Sequence, residues 1–245
     1  MTNPAVDVVD VSKRYRLYHE RNQSLKASVM RGRRARYEEF WALQDVSLQV
    51  RAGTAFGLIG ENGSGKSTLL KCMARILRPD KGSIATDGKV SALLELGAGF
   101  HPELSGRENV FLNGSILGLG KKQLLARFDE IVSFAGLEQF IDAPVKNYSS
   151  GMYARLAFAL ATDVEPEVLL VDEVFGVGDE FFMEKCVARM RRLMRAGTTT
   201  VFVSHNLEFL VGQCDRLIWL DEGRVAADGP AREVATAYRA ARGTS

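Results

Sequence analysis

Apolar runs and helical repeats alternate along this chain, and their order predicts its elements. Ala55-Phe-Gly-Leu-Ile59, Val168-Leu-Leu-Val171 and Thr199-Thr-Val-Phe-Val203 are short, nearly continuous apolar or β-branched segments, the pattern of strands buried on both faces of a parallel sheet. Leu69, Leu70, Met73, Ile76 and Leu77 recur at helical spacing after the first of them, and a helix around Met183 to Met194 separates the second from the third. Residues 5 to 12 and Val46 to Val50 alternate instead, as half-exposed strands do. Residues 84 to 94 suit short strands. Residues 103 to 147 show helical patterns broken at Gly114, Gly118, Gly120 and Gly136. A strand pair, Leu217 to Leu220 and Arg224 to Ala227, leads into a last helix from about Ala231. Strands alternating with helices predict an α/β fold: a mainly parallel sheet covered on both sides.

Between the first strand and its helix, Gly60 to Ser67 read GENGSGKS, which fits the G-x-x-x-x-G-K-[ST] phosphate loop. Backbone N–H groups can converge on one anion there because Gly60, Gly63 and Gly65 carry no side chains, and a helix N-terminus adds its partial positive charge. Glu61, Asn62, Ser64 and Thr68 complete the candidate binding segment. Lys66 is placed to reach the β- and γ-phosphates, and the Ser67 hydroxyl to ligate Mg²⁺. Asp172 ends a second apolar strand and is followed by Glu173. Two acids at that point divide the labour, Asp172 holding the magnesium shell and Glu173 acting as general base toward water. His205 follows the third strand, where it serves either as a packed residue or as a donor to the γ-phosphate that steadies Glu173. Ser149 and Ser150 are both able to cap a helix whose free N–H groups suit a second phosphate.

Length and charge add limits. The 245 residues suffice for one α/β domain with a small subdomain, and a formal charge of +2 gives no reason to invoke nucleic acid. Cys72, Cys186 and Cys214 are too scattered for a zinc site or a disulfide framework. The N-terminus lacks the pattern of a signal peptide, and no apolar stretch approaches the roughly 18 residues of a membrane span. A cytoplasmic protein is expected.

From about residue 6 to 238 the assembly resembles the nucleotide-binding subunit of ABC transporters. The marks are the phosphate loop GENGSGKST, the signature-like YSSGM beginning at Tyr148, VLLVDE ending at Glu173, Asp179 six residues beyond, and VSHN holding His205. The resemblance implies a P-loop NTPase core with a mainly parallel sheet, an antiparallel β subdomain and a helical subdomain at about 103–160, all within one domain over 1–245. It implies ATP and Mg²⁺ as cofactors, and a second copy of the chain completing an ATP sandwich in which Ser149 and Gly151 act in trans. Tyr15 matches the aromatic that stacks on adenine, with Tyr18 close enough to compete, and Asp179 joins the nucleotide-binding set. Departures narrow the subfamily. Tyr148, Ser150 and Met152 replace the usual Leu, Gly and Gln of the signature, and the loop that normally offers a Gln to Mg²⁺ has none, leaving Glu95 as its substitute. The runs LELGAGFHPELSGRENV, NYSSGMYARLAFA and VGDEFFMEKC look like the ATPase subunits of polysaccharide exporters. Such a subunit works at the cytoplasmic face of the inner membrane beside an integral membrane permease that moves lipid-linked polysaccharide. A C-terminal carbohydrate-binding domain is not expected here.

A basic insert at about 13–40, with Lys26, Arg31, Arg33, Arg34 and Arg36 among Leu25, Val29 and Met30, reads either as a helix near lipid headgroups and an anionic lipid-pyrophosphate or as a solvated loop. The other functional readings are a drug or lipid exporter and a soluble ATP-driven switch.

Overall fold

A computed structural model describes residues 4–18, 37–94, 99–172 and 179–243. Six strands form the main sheet in the order β5(Val90–Leu93), β6(Val168–Asp172), β7(Thr199–Val203), β3(Ala55–Ile59), β8(Arg216–Asp221), β9(Arg224–Pro230). All neighbours run parallel except β8 and β9. Every residue of β3 and β7 is buried, which explains why these strands read as unbroken runs rather than alternating ones.

A second, antiparallel sheet has the order β2(Tyr37–Arg51), β1(Pro4–Tyr18), β4(Lys81–Thr86). Its inner face packs with α1(Lys66–Met73) on the main sheet, so that Val6, Leu48, Leu69, Met73, Val168 and Val201 share one core. On the opposite face of the main sheet lie α5(Glu180–Arg195), α6(Leu207–Gln213) and α7(Ala231–Arg242). A third core joins α2(Gly106–Ile116), α3(Lys121–Ala135) and α4(Ser150–Asp163). Ser105 and Glu108 form a reciprocal capping box at the start of α2, and Gly136 closes α3 in the left-handed conformation at φ 65°. Cys72, Cys186 and Cys214 are free and buried; burial pushes the thiols of Cys186 and Cys214 up to about 12.

The first hairpin differs from the sequence expectation. Residues 13–18 and 37–40 are strand, the outer halves of β1 and β2, rather than part of a basic insert. Their charges are used across the pair: Arg14 meets Glu39 at 2.8 Å, and the guanidinium of Arg16 sits 4.8 Å from the Tyr37 ring centroid. Such cross-strand pairs stabilise a two-stranded ribbon. Lys26, Arg31, Arg33, Arg34 and Arg36 lie outside the described residues, so the two readings of the insert are not distinguished.

Helices α3, α4 and α5 are joined by a buried ionic network. The Asp163 and Arg189 side chains, 5% and 6% exposed, face each other at 3.6 Å, with Arg127 at 3.5 Å from Asp163. Burial raises the Asp163 carboxyl above its usual range in spite of both arginines, and burial likewise lowers Arg189. Removing one member strands the other in a poorly solvated site. Arg189→Ala is therefore expected to lower stability by about 3 kcal/mol, measured by urea denaturation. A change below about 1 kcal/mol, the range of exposed pairs, would mean that water already solvates Asp163.

Candidate functional site

The loop between β3 and α1 is squeezed from two sides. Gly60 has φ 150° and Gly65 has φ 102°; a Cβ at the first would collide with the Leu220 carbonyl of β8, and at the second with the Ala42 carbonyl of β2. Only glycine satisfies both demands, positive φ and backbone contact. Gly65 precedes α1 and offers no side-chain cap, so the first-turn N–H groups are left for a ligand. The Lys66 side chain folds back over the loop, its Nζ donating to the carbonyls of Gly60 at 2.9 Å and Glu61 at 2.7 Å. Ser64 is buried, and its hydroxyl has no hydrogen-bond partner among the described residues.

A cavity of about 240 Å³ opens beside this loop. Lys66, Ser67, Thr68 and Asp172 line one part, and Tyr15 and Phe40 another. Asp172 gets there because β6 ends level with β7, pairing Asp172 with Val203. Tyr15 and Phe40 are direct partners across the β1–β2 pair, so their rings stand on one face of the hairpin. Phe40 was missed in the sequence, where it fell within the supposed insert; the signal was its register with Tyr15, which depends on how far the hairpin extends. The side chain of Tyr18 lies outside those described, as do Glu95 and Glu173.

A smaller cavity of about 170 Å³ lies on the other side of the loop, lined by Gly60, Glu61, Asn62, His205, Tyr238 and Arg242. His205 is exposed and follows β7 just ahead of α6, so it adjoins the start of the phosphate loop rather than the Ser67–Asp172 side. Another cavity, about 910 Å³, surrounds the Asp163–Arg189 network, with Ala5 and Thr199 at the far ends of β1 and β7 on its wall. The chemistry-bearing residues do not reach it.

Three expected ligand residues are not brought to the loop within one chain. Ser149 is the N-cap of α4, accepting the Met152 N–H at 3.1 Å, and neither it nor Gly151 lines either loop cavity. Asp179 uses both carboxylate oxygens inside its own chain. One accepts the Phe182 N–H at 2.9 Å as the N-cap of α5, and the other pairs with Arg155 of α4. Gly151 has a different character from the loop glycines. Among the described residues a Cβ there would meet only Ser149 Oγ, at the ordinary contact distance of 3.8 Å, so none of them demands a glycine.

The sequence profile described as ABC transporter matches residues 43–176, more than half of the chain. The chain belongs to the ABC transporter family. The O-antigen export system ATP-binding protein RfbB of Klebsiella pneumoniae is 42% identical over 242 residues, covering 97% of this chain and 98% of that protein. The teichoic acids export ATP-binding protein TagH of Listeria monocytogenes serotype 4b is 39% identical over 236 residues, 96% of this chain and 70% of that protein. Among solved structures, the ATP-binding cassette MJ0796, a dimer in a post-hydrolysis state bound to ADP and Pi, superposes with a TM-score of 0.74 at 23% identity, covering 93% of this chain and 99% of that one. That likeness shows the fold: this ABC chain has the architecture of an ATPase cassette.

The two kinds of glycine separate by experiment. Gly65→Ala forces a side chain into backbone at a disfavoured φ and is expected to lose at least about 2 kcal/mol of folding stability. Gly151→Ala, in an open first helical turn, is expected to be neutral or to gain roughly 0.5 kcal/mol. Thermal unfolding of the two variants checks the contrast, and equal losses would contradict it.

Proposed function

We propose that this chain is the ATP-binding and hydrolysing subunit of a polysaccharide exporter, working as a pair of copies beside an integral membrane permease. The observation that carries this reading is the end-to-end match, 42% identical, to an O-antigen export ATP-binding protein whose length the chain covers almost fully. Teichoic acid export subunits follow at 39%, so the shared theme is a lipid-linked polysaccharide rather than a drug, a lipid or a soluble switch. Among the described residues no helix is long and apolar enough to cross a membrane; in this reading the transport path belongs to the partner, and this subunit acts at the cytoplasmic face of the inner membrane.

In this reading ATP lies in the larger loop cavity, with its base toward Tyr15 and its phosphates toward Lys66. Tyr15, with Phe40 beside it, takes the adenine ring by stacking. The segment Gly60 to Thr68 receives the phosphates on backbone N–H groups, and Lys66 exchanges its two carbonyl partners for phosphate oxygens. The hydroxyl of Ser67 and the carboxylate of Asp172, lining one cavity, are the hard oxygen donors that would hold Mg²⁺. When bound, the ion would supply neutralisation of the charge that builds up in phosphoryl transfer. Glu173, directly after Asp172, takes the proton of the attacking water, and His205 orients toward the γ-phosphate. Ser149 and Gly151 supply the missing wall from the second copy. The open space at Gly151 supports this, since a backbone approached only by a partner explains a glycine its own fold does not require. Asp179 acts as cap and ion-pair partner of Arg155, not as a nucleotide ligand within its own chain.

Glu173→Gln is expected to keep ATP affinity while lowering steady-state hydrolysis by at least about 100-fold, and to accumulate ATP-bound dimer in light scattering. Cells carrying it as their only copy should retain lipid-linked polysaccharide inside. Unchanged turnover would remove Glu173 as the base; stalled turnover with normal surface polysaccharide would remove the cargo. Gly151→Ala should fold normally yet weaken ATP-driven dimerisation. A normal dimer would refute the contact in trans.

A further inference from the structure

The last turn of the C-terminal helix reaches the phosphate loop. Arg242 Nη2 lies 2.8 Å from Glu61 Oε1, a contact spanning 181 positions of sequence. The arginine is held from behind. Its Nη1 donates to the Tyr238 hydroxyl at 3.1 Å, and its guanidinium carbon lies 5.3 Å from the Tyr238 ring centroid. Tyr238 in turn meets the Trp219 ring edge-on, 5.5 Å between centroids at 78°. Trp219 is paired in register with Ile59, the residue immediately before Gly60. The chain of contacts thus returns to its starting point: β3, β8, α7, and back to the loop that follows β3. One turn earlier, Arg239 pairs with Glu208 in the first turn of α6, three residues after His205.

The Glu61 carboxylate stands in a loop that is built to receive phosphates, and its charge opposes the anion. The Glu61 backbone contributes to the site, since its carbonyl holds Lys66 Nζ at 2.7 Å; its side chain does not. The Arg242 and Glu61 side chains are 55% and 61% exposed, and such pairs add little to folding stability. What the pair changes is the charge beside the loop.

We propose that Arg242 is a positioning and charge-compensating residue of the nucleotide site: it neutralises Glu61 and turns that carboxylate away from the phosphates, so that seating of the C-terminal helix sets ATP affinity. The inference rests on Gly60–Thr68 being the nucleotide loop. It concerns how tightly that loop binds, not the chemistry that follows.

The test is a double-mutant cycle on the full chain, with ATP affinity measured by calorimetry at low and high salt. Arg242→Ala is expected to raise the ATP Kd about threefold at low ionic strength, an effect that fades near 1 M salt where screening acts within a few ångströms. Arg242→Lys should retain most of the affinity. In a Glu61→Gln background, where no carboxylate is left to compensate, Arg242→Ala should change nothing. The thermal midpoint should stay within about 2 °C throughout, in keeping with an exposed pair. An equal loss of affinity in the Glu61→Gln background, or no loss at low salt in the native one, overturns the proposal. Lys66→Ala is the control for the reading beneath it: normal ATP binding by that variant would reject the loop itself rather than its partner.

Discussion

One junction holds the molecule together: the phosphate loop is wedged between two sheets and touches both through backbone. Gly65 lies against the Ala42 carbonyl of β2, and Gly60 against the Leu220 carbonyl of β8. Gly223, in the turn between β8 and β9, donates its N–H to the Ser64 carbonyl at 3.1 Å and accepts the Gln44 N–H at 2.8 Å. A side chain at Gly223 would itself press on the Ala42 carbonyl at 2.8 Å. Antiparallel sheet, main sheet and loop therefore meet through atoms that cannot be moved apart separately. Packing of this kind is stiff, and stiffness lets the first-turn N–H groups of α1 keep their direction before any ligand arrives.

That rigidity serves only part of a site. The loop, Ser67 and Asp172 converge within one chain, with Tyr15 and Phe40 closing the same cavity. Ser149 and Gly151 stand on another element and line neither loop cavity. The asymmetry between glycines expresses the same division. Those of the loop are required by the chain's own backbone, whereas among the described residues only Ser149 Oγ, at 3.8 Å, would meet a side chain at Gly151. A residue type that internal packing does not explain points to packing against something else.

Much of this was legible in sequence, because the decisive features are local. Strands β3, β6 and β7 declared themselves as apolar runs because parallel strands are buried on both faces, and the phosphate loop because its glycines, Lys66 and Ser67 fall in one short stretch of sequence. Features that depend on register or on distant partners were not legible. The hairpin extends to Tyr18 and Tyr37, but Tyr37 to Phe40 are exposed and Lys13 to Arg16 are mostly charged, so the outer half carries little of the apolar alternation that marks a strand. Phe40 acquires a role only once it is opposite Tyr15. Arg242 meets Glu61 from the other end of the chain, where only the packing of α7 on Trp219 sets their distance. The contacts of Asp179 were hidden for a related reason: the family resemblance implied a nucleotide ligand, and only the packing of α4 beside α5 shows its oxygens meeting Phe182 and Arg155 within the chain.

Arg155 also bears on how the helical region moves. Helix α4 carries Ser149 at its N-terminus, and contacts along its length attach it to α5. Arg155 pairs with the Asp179 cap, Phe158 meets Phe182 edge-on at 6.1 Å, and Asp163 at its end faces Arg189 at 3.6 Å. The last two are buried, so sliding α4 along α5 would expose apolar surface and separate buried charges together. Any displacement of α4 must therefore carry α5 along or break this set of contacts. Helix α4 and the helix that Asp179 caps are thus mechanically one unit.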